Sequence, residues 1–113
     1  LKLIAITAHD GGIQIRGHAY YAPEGYDIVC ASISALMWAF IESVEHMTDD
    51  KIKYDVSPGR ADIYFRNLSE TGKVLMSSFF IGVQSVEAEY PDRVKVYRNG
   101  LGNERAGAER TKK

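Results

Sequence analysis

The sequence predicts an α+β fold, a two-layer sandwich in which a mixed or antiparallel five-stranded sheet packs against two helices. Three observations indicate it. Strand-like and helix-like patterns alternate in the order ββαββαβ, turn-forming residues join the two strand pairs, and both helical segments carry an apolar stripe that can cover one face of a sheet. With 113 residues, 45% of them hydrophobic, the chain has room for one such domain.

The first strand pair is predicted to be a hairpin. Residues 1–8 alternate in hydrophobicity, and the turn at residues 10–12 contains two glycines, which accept the positive φ of tight hairpin loops. Residues 13–19 alternate again, so His18 lies on the polar face at the end of the second strand. We therefore expect this base to be reachable from solvent.

A long helix is predicted from Asp27, whose carboxylate can cap the first turn, to about Met47. The stripe that we expect to face the core consists of Val29, Ile33, Leu36, Phe40 and Val44. The flank of that stripe, about 100° around the helix axis, consists of Cys30, Ser34, Met37 and Ile41. Trp38 points away from the stripe. Because the helix is apolar nearly all round, we expect a second partner, most simply another copy of the chain, to cover part of it.

A second strand pair follows the helix. The two strands are predicted over residues 51–56 and 61–67, around a turn at residues 57–60. Apolar and polar residues alternate in both strands. The apolar residues of this alternation are Ile52, Tyr54, Val56, Ile63 and Phe65.

A second helix and a last strand complete the domain. The helix is predicted to begin near Ser69 or Thr71 and to end at Pro91. Its core stripe consists of Leu75, Phe79, Val83, Val86 and Tyr90. The last strand covers residues 93–98. Residues 99–113 are polar and lack apolar periodicity, so we assign residues 1–98 to the domain and the remainder to a flexible tail.

Composition excludes several classes of function. A net charge of −1 and a pI near 6.3 give no general attraction to nucleic acid or to a membrane surface. No uninterrupted apolar run approaches the roughly 20 residues that span a bilayer, and no signal-peptide pattern opens the sequence. A single cysteine fits a reducing cytoplasm. The histidines and the cysteine lack metal-ligand spacing, and phosphate-binding glycine motifs are absent, so no metal or cofactor is expected.

One pair of residues can carry chemistry. If Asp27 caps the long helix, Cys30 is its third residue, where the helix dipole and free amides favour thiolate over thiol. His18, twelve residues earlier, is a base that can activate this sulfur. Main-chain amides around Ala31 are candidate donors to an oxyanion. Asp27 either only caps the helix or also orients His18, and Ser34, one turn beyond Cys30, can reach the thiol.

Each of these residues also has a purely structural interpretation. A single cysteine in an apolar helix often fills the core, and a histidine at a strand end is often an ordinary surface residue. A helical serine commonly bonds back to the carbonyl of the preceding turn. The residues taken alone therefore leave open both a cysteine hydrolase and a chemically inert domain.

A longer motif resembles a known family. The segments Gly17-His18-Ala19 and Asp27-Ile28-Val29-Cys30-Ala31, with Gly25 between them and Ser34-Ala35 after them, closely resemble the ribosomal-processing cysteine protease family, Prp. The resemblance extends over most of the chain and includes the segment from Val86 to Pro91. It implies a Cys-His dyad in which Cys30 is the nucleophile and His18 the general base and then acid, with Asp27 in a supporting role.

The resemblance also implies a substrate and an assembly. Family members remove an N-terminal extension from a bacterial large-subunit ribosomal protein, and phage-encoded relatives are thought to process capsid or scaffold proteins. A homodimer is implied, together with a mobile loop over residues 19–26 that becomes ordered over the substrate. The residues assigned to this substrate loop are Ala19, Tyr20, Tyr21, Gly25 and Tyr26.

Some positions depart from the family pattern. The loop contains Ala22-Pro23-Glu24 where relatives often have further glycine, so its closure is expected to pivot on Gly17 and Gly25. Ser32 replaces a glycine or alanine, on the side of the helix away from Cys30.

The sequence therefore predicts a cytoplasmic, dimeric cysteine endopeptidase that acts on a protein or peptide, with neither membrane nor direct nucleic-acid binding. Two alternatives remain at this stage. One is a non-catalytic, dimeric module that binds ribosomal or capsid protein during assembly and keeps the motif for packing. The other is a hydrolase of thioesters or small amides that uses the same dyad.

Overall fold

The computed structural model describes residues 3–19, 22–23 and 27–98. The predicted tail at residues 99–113 lies outside the described residues, and so do Tyr20, Tyr21, Gly25 and Tyr26 of the predicted substrate loop. The elements, in chain order, are β1 (Ile4–His9), β2 (Gly12–Arg16), α1 (Ile28–Met47), β3 (Ile52–Ser57), β4 (Arg60–Phe65), α2 (Glu70–Glu89) and β5 (Val94–Arg98). The predicted order ββαββαβ is confirmed.

The five strands form one mixed sheet in the order β3-β4-β2-β1-β5. Strand β5 runs parallel to β1, and every other neighbouring pair is antiparallel. Both predicted turns are two-residue hairpin loops, since His9 pairs with Gly12 and Ser57 pairs with Arg60 across them. The predicted two-layer α+β fold is confirmed, with the sheet in its mixed form.

Strand β2 ends at Arg16, three residues before the end predicted from hydrophobic alternation. The reason is Gly17, whose φ of 97° leaves the β region, and whose N–H donates to the carbonyl oxygen of Gly59 at 2.9 Å. His18 therefore follows the strand instead of ending it.

One face of the sheet forms the core together with both helices. Its central side chains are Ile4, Ile6, Ala8, Ile13, Ile15, Ala61 and Ile63, all buried. On α1, the predicted core residues Val29, Ile33, Phe40 and Val44 are buried, and so are Met37 and Ile41, which were expected only at the flank.

Leu36, predicted in the α1 core stripe, is only partly buried and faces the second helix. A methyl group on Gly82 of α2 would come within 2.8 Å of the Leu36 side chain, so this glycine allows the two helices to pack closely. Part of the apolar surface of α1 that the sheet leaves uncovered is thus taken up by α2. By length and composition α1 is also a candidate membrane span, although its apolar residues do not form one uninterrupted run. Six of its side chains instead pack in the core.

Strand β3 has the predicted alternation but is largely exposed. Tyr54 and Val56 lie opposite the buried Ile63 and Ala61 of β4 and share their face, yet they are 42% and 37% exposed. The cause is position, because β3 is the edge strand and the helices cover the centre of the sheet. Trp38 of α1 contacts this strand, with its ring packed edge-on to that of Tyr54 and the ring centroids 5.5 Å apart.

Helix α2 begins where the sequence indicated. Ser69 is its N-cap and its hydroxyl accepts from the N–H of Gly72, while Asp50 accepts from both the N–H and the hydroxyl of Ser69. The helix ends at Glu89, with Tyr90 as C-cap, directly before Pro91.

Candidate active site

Cys30 lies in the first turn of α1. Asp27 caps this turn in an extended conformation, and its Oδ1 accepts from the N–H groups of Val29 and Cys30 at 3.0 Å each. The predicted cap is therefore present, and Cys30 is the third helical residue. At this position the positive end of the helix dipole favours a negatively charged sulfur.

The thiol also receives a main-chain donor. The N–H of Ala19 points to Sγ of Cys30 at an N–S distance of 3.4 Å. The carbonyl of Ala19 accepts from Nη1 of Arg93 at 2.9 Å, and the residue is fully buried. A hydrogen bond donated to sulfur stabilises thiolate relative to thiol, so this contact acts in the same direction as the helix dipole.

One expected oxyanion donor is already engaged. The N–H of Ala31 donates to the carbonyl oxygen of Asp27 at 3.0 Å, as the first main-chain bond of the helix. With the N–H groups of Val29 and Cys30 bound to the Asp27 carboxylate, the first turn of α1 has its amides committed to its own cap. The sequence alone does not reveal this, because the geometry of the cap decides which amides stay available.

His18 is positioned by two glycines. Gly17, immediately before it, lies so close to β1 that a Cβ there would be 2.3 Å from the carbonyl oxygen of Leu3. The His18 imidazole packs over Gly59, in the loop between β3 and β4, where an added Cβ would be 2.6 Å from Nε2. The half-buried ring of His18 is thus held between its own segment and the β3–β4 loop.

His18 and Cys30 line the same cleft, which lies between the first half of α1 and the β3–β4 hairpin and has a volume of about 730 Å³. Asp27 and the exposed Ser34 line it as well, so the described site residues expected from the sequence are brought together. The opposite wall of the cleft comprises Val56, Ser57, Pro58, Gly59, Arg60 and Ala61. The sequence predicts this segment only as part of a strand pair. The turn-forming residues Pro58 and Gly59 predict a hairpin. The pairing of β2 with β4 in the sheet brings that hairpin beside His18.

A charged cluster lies beneath this wall, on the other face of the sheet. The Asp62 carboxylate is 2% exposed and binds Nη2 of Arg16 at 2.7 Å and Nη2 of Arg60 at 2.9 Å. The hydrogen bond from Arg16 lowers the pKa of Asp62 below its usual range, outweighing burial, which acts in the opposite direction. Because Arg16 precedes Gly17 and Arg60 follows Gly59, the cluster ties together the two backbone segments that hold His18.

The described residues contain no group of three or more histidine, cysteine, aspartate or glutamate side chains that could hold a metal ion.

Comparisons with known proteins agree with the fold and with the motif. Residues 5–95 match the sequence model of the family described as cysteine protease Prp. The chain is 25% identical over 100 residues to ribosomal processing cysteine protease Prp of Staphylococcus aureus strain Mu50, covering 82% of this chain and 94% of that protein. It is 24% identical over 102 residues to the Bacillus subtilis protein of the same name, covering 81% and 91% respectively.

The structure is also similar to a solved one. The crystal structure of S. aureus Prp with a covalently linked product peptide superimposes with a TM-score of 0.77 at 20% identity, covering 88% of this chain and all of that one. At this identity the likeness shows a shared fold. Together with the family match across residues 5–95, it establishes that the chain is a cysteine protease and belongs to the Prp family.

Proposed function

We propose that this protein is an endopeptidase that removes an N-terminal extension from a bacterial large-subunit ribosomal protein, with Cys30 as nucleophile and His18 as general base. The observation that carries the proposal is the hydrogen bond from the Ala19 N–H to Sγ of Cys30 at the start of α1. His18, the residue before Ala19, lines the same cleft as this sulfur, which supports its role as the base. The names of the S. aureus and B. subtilis relatives support a ribosomal substrate.

The reaction follows from these positions. The Cys30 thiolate attacks the scissile carbonyl carbon, and His18, carrying the proton of the thiol, donates it to the departing amine. This leaves a thioester between Cys30 and the acyl half of the substrate. His18 then takes a proton from water, whose attack on the thioester releases the acid product and restores the thiolate. We assign the Ala19 N–H, which lies beside the sulfur, as a donor to the oxyanion in both steps.

The proposed enzyme is a cytoplasmic homodimer. Support for the second copy comes from Trp38 of α1 and Tyr54 of β3, whose rings contact each other and which are 36% and 42% exposed. Large apolar side chains that adjoin one another on the surface are typical of a region that another protein covers. Sedimentation of the purified chain tests this: a monomer at micromolar concentration would contradict it.

Cleavage of a peptide that spans the extension of the ribosomal protein tests the activity. We expect mass spectrometry to show one cut with wild type, and both Cys30→Ala and His18→Ala to lower kcat/KM by about a thousandfold or more. His46→Ala is the matched control, since His46 is an exposed histidine of α1 bonded to the carbonyl of Glu42. Cleavage that survives in Cys30→Ala would end the proposal.

The substrate class is tested separately. A peptide from a phage capsid or scaffold protein, offered to the same enzyme, distinguishes a ribosomal from a capsid-type substrate by the ratio of the two kcat/KM values. A higher value for the capsid-type peptide would move the assignment to that substrate and leave the dyad intact.

The reactivity of the thiol separates an enzyme from a binding module. We expect iodoacetamide to alkylate Cys30 faster at neutral pH in wild type than in His18→Ala. Alkylation no faster than that of an ordinary buried thiol, in both proteins, would favour a module that only binds its partner.

A further inference from the structure

The outer edge of β3 is an open strand edge that adjoins the catalytic cleft. We infer that the peptide substrate binds by adding a strand to this edge, paired with the main chain of Tyr54 and Val56. The inference rests on the proposed function and specifies how that site holds its substrate. Its first support is position: β3 is the end strand of the sheet, and no described strand lies on its outer side.

The register of the hairpin shows which groups of β3 are available. Ser57 and Arg60 flank a two-residue loop, so they exchange both main-chain hydrogen bonds. Bonded and non-bonded pairs alternate along an antiparallel ladder, which makes Asp55 the next residue bonded to β4. The N–H and C=O groups of Tyr54 and Val56 therefore point outward, to the open edge.

The side chain of Val56, at this edge, points into the cleft. Val56 lies opposite Ala61, on the inner face of the sheet, and both residues line the cleft that contains Cys30. Beyond Val56, the strand continues through Ser57 to the loop at Gly59, on which the His18 imidazole packs. A peptide paired with β3 is thus led along the cleft towards the dyad.

The opposite edge of the sheet is protected and shows the contrast. On β5, the N–H of Val96 donates to Oε2 of Glu87 in α2 at 3.0 Å, so a side chain already occupies a hydrogen-bonding group of that edge. Strand β3 has no such contact among the described residues, and its sequence, from Ile52 to Ser57, contains no proline. Among the described residues, a side chain therefore protects the β5 edge at Val96, and the β3 edge stays open.

The occupant that fits this edge is an extended polypeptide, which is the substrate of a protease. Strand addition leaves alternate side chains of the bound peptide on opposite faces. One set would enter the cleft, against the apolar Ile33, Met37 and Val56, and the other set would lie over the solvent-exposed face of the sheet. We therefore expect side-chain preferences at every second position of the substrate, with apolar residues preferred at the positions that face the cleft.

Main-chain methylation of the substrate tests the pairing on the wild-type enzyme. A series of substrate peptides, each with one N-methyl amide, removes one N–H donor at a time. We expect kcat/KM to fall about tenfold at alternate positions and to change little at the positions between, because only alternate N–H groups face β3. Equal tolerance at all positions, or losses without alternation, would overturn the inference.

A variant of the strand localises the effect. Val56→Pro removes the outward N–H at a position where an edge strand tolerates proline, and Val56→Ala is the control for the lost side chain. We expect the N-methyl penalty to shrink in Val56→Pro and to persist in Val56→Ala. A penalty that is unchanged in Val56→Pro places the pairing elsewhere and overturns the inference.

The remaining outcomes are also decisive. If iodoacetamide alkylates Cys30 in Val56→Pro at the rate seen in wild type, the dyad is intact in that variant. If the variant does not fold, the methylation series on the wild-type enzyme decides alone. If Val56→Pro splits a dimer while the N-methyl series shows no alternation, a second copy covers the edge and the inference is wrong. Failure of wild type to cleave the unmethylated peptide, by contrast, counts against the proposed function itself.

Discussion

The glycine beneath His18, the proposed catalytic base, offers the sharpest test of the site. Gly59 has a φ of 74°, a conformation that residues with a Cβ adopt at a cost of roughly 1–2 kcal/mol. In Gly59→Ala the new Cβ would be 2.6 Å from Nε2 of His18 and 3.1 Å from its Cδ2. The substitution therefore strains the loop and displaces the imidazole at the same time.

The size of the displacement follows from contact distances. Ordinary contacts of a Cβ begin at 3.4 Å, so the ring must move by about 0.8 Å from its position at 2.6 Å. Misplacement of a reacting group by about 1 Å can lower a rate by about a hundredfold. We expect Gly59→Ala to lower kcat/KM by about a hundredfold and the free energy of unfolding by about 1–2 kcal/mol.

Two further variants separate strain from displacement. Asn tolerates positive φ better than Ala, so Gly59→Asn should recover part of the stability without recovering activity, because its Cβ meets His18 in the same way. Gly11→Ala, in the other hairpin loop, is the matched control. A Cβ there meets only the His9 ring at 3.7 Å, and the residue does not have a positive φ, so both stability and activity should stay close to wild type.

Urea unfolding and peptide cleavage measure the two effects on the same preparations. The reasoning would be refuted if Gly59→Ala cleaved the peptide at the wild-type rate, since the imidazole would then not need the position in which it packs over Gly59. A loss of activity equal in Gly59→Ala and Gly11→Ala would point to the hairpins in general, and not to His18.

Three other substitutions test the framework of the site. Asp62→Asn should lower the free energy of unfolding at neutral pH by about 1–2 kcal/mol, with Asp49→Asn, at an exposed position between α1 and β3, nearly neutral. The bond from Arg16 lowers the pKa of Asp62 in the folded state. The stability advantage of wild type over Asp62→Asn should therefore be complete above the ordinary pKa of 3.8 and should disappear as the pH falls below it. Urea unfolding at a series of pH values measures this dependence. Asp27→Ala removes the cap of α1 and should cost about 1 kcal/mol, most of which Asp27→Asn retains, by the same unfolding assay. Phe80→Ala, in the core, should cost about 3–5 kcal/mol, and a loss below 1 kcal/mol would show that the core collapses into the cavity.

Much of the fold was predictable because local rules decide it. Asp27 and Ser69 cap the two helices through short side chains that bond to amides two or three residues on, and such caps are visible in sequence. The two hairpin loops follow from glycine in the same way. These signals involve residues close in the chain, so no knowledge of the packing is needed to read them.

Burial and strand ends depended on packing between distant segments. The alternation of Tyr54 and Val56 is correct, but their exposure results from the edge position of β3, which alternation does not reveal. Leu36 is only partly buried and packs against α2, a contact that the helical periodicity does not reveal. The end of β2 was predicted too late because hydrophobic alternation continues past Gly17, where the backbone already turns away.

The sequence indicates the candidate site residues but not their surroundings. His18 and Cys30 were recognised from their spacing and from the motif around them, and both line the cleft. The β3–β4 wall is about forty residues further along the chain, and only the pairing of β2 with β4 brings it to the site. Asp62 had no signal in the sequence, because an aspartate in a predicted strand reads as an exposed residue.

The two members of the proposed dyad are therefore held by different kinds of constraint. Cys30 belongs to a helix whose neighbouring residues Val29 and Ile33 are buried in the core, so its position is as secure as the fold itself. His18 lies in a connecting segment that depends on the bond between Gly17 and Gly59. Substitutions in the core should accordingly lower stability first and activity in proportion, whereas substitutions in the β3–β4 loop should lower activity more than stability. The β3–β4 loop, on which the ring of His18 packs, directly follows β3, the strand with which we propose that the substrate pairs. Substrate binding can therefore affect the position of the proposed base through the same backbone.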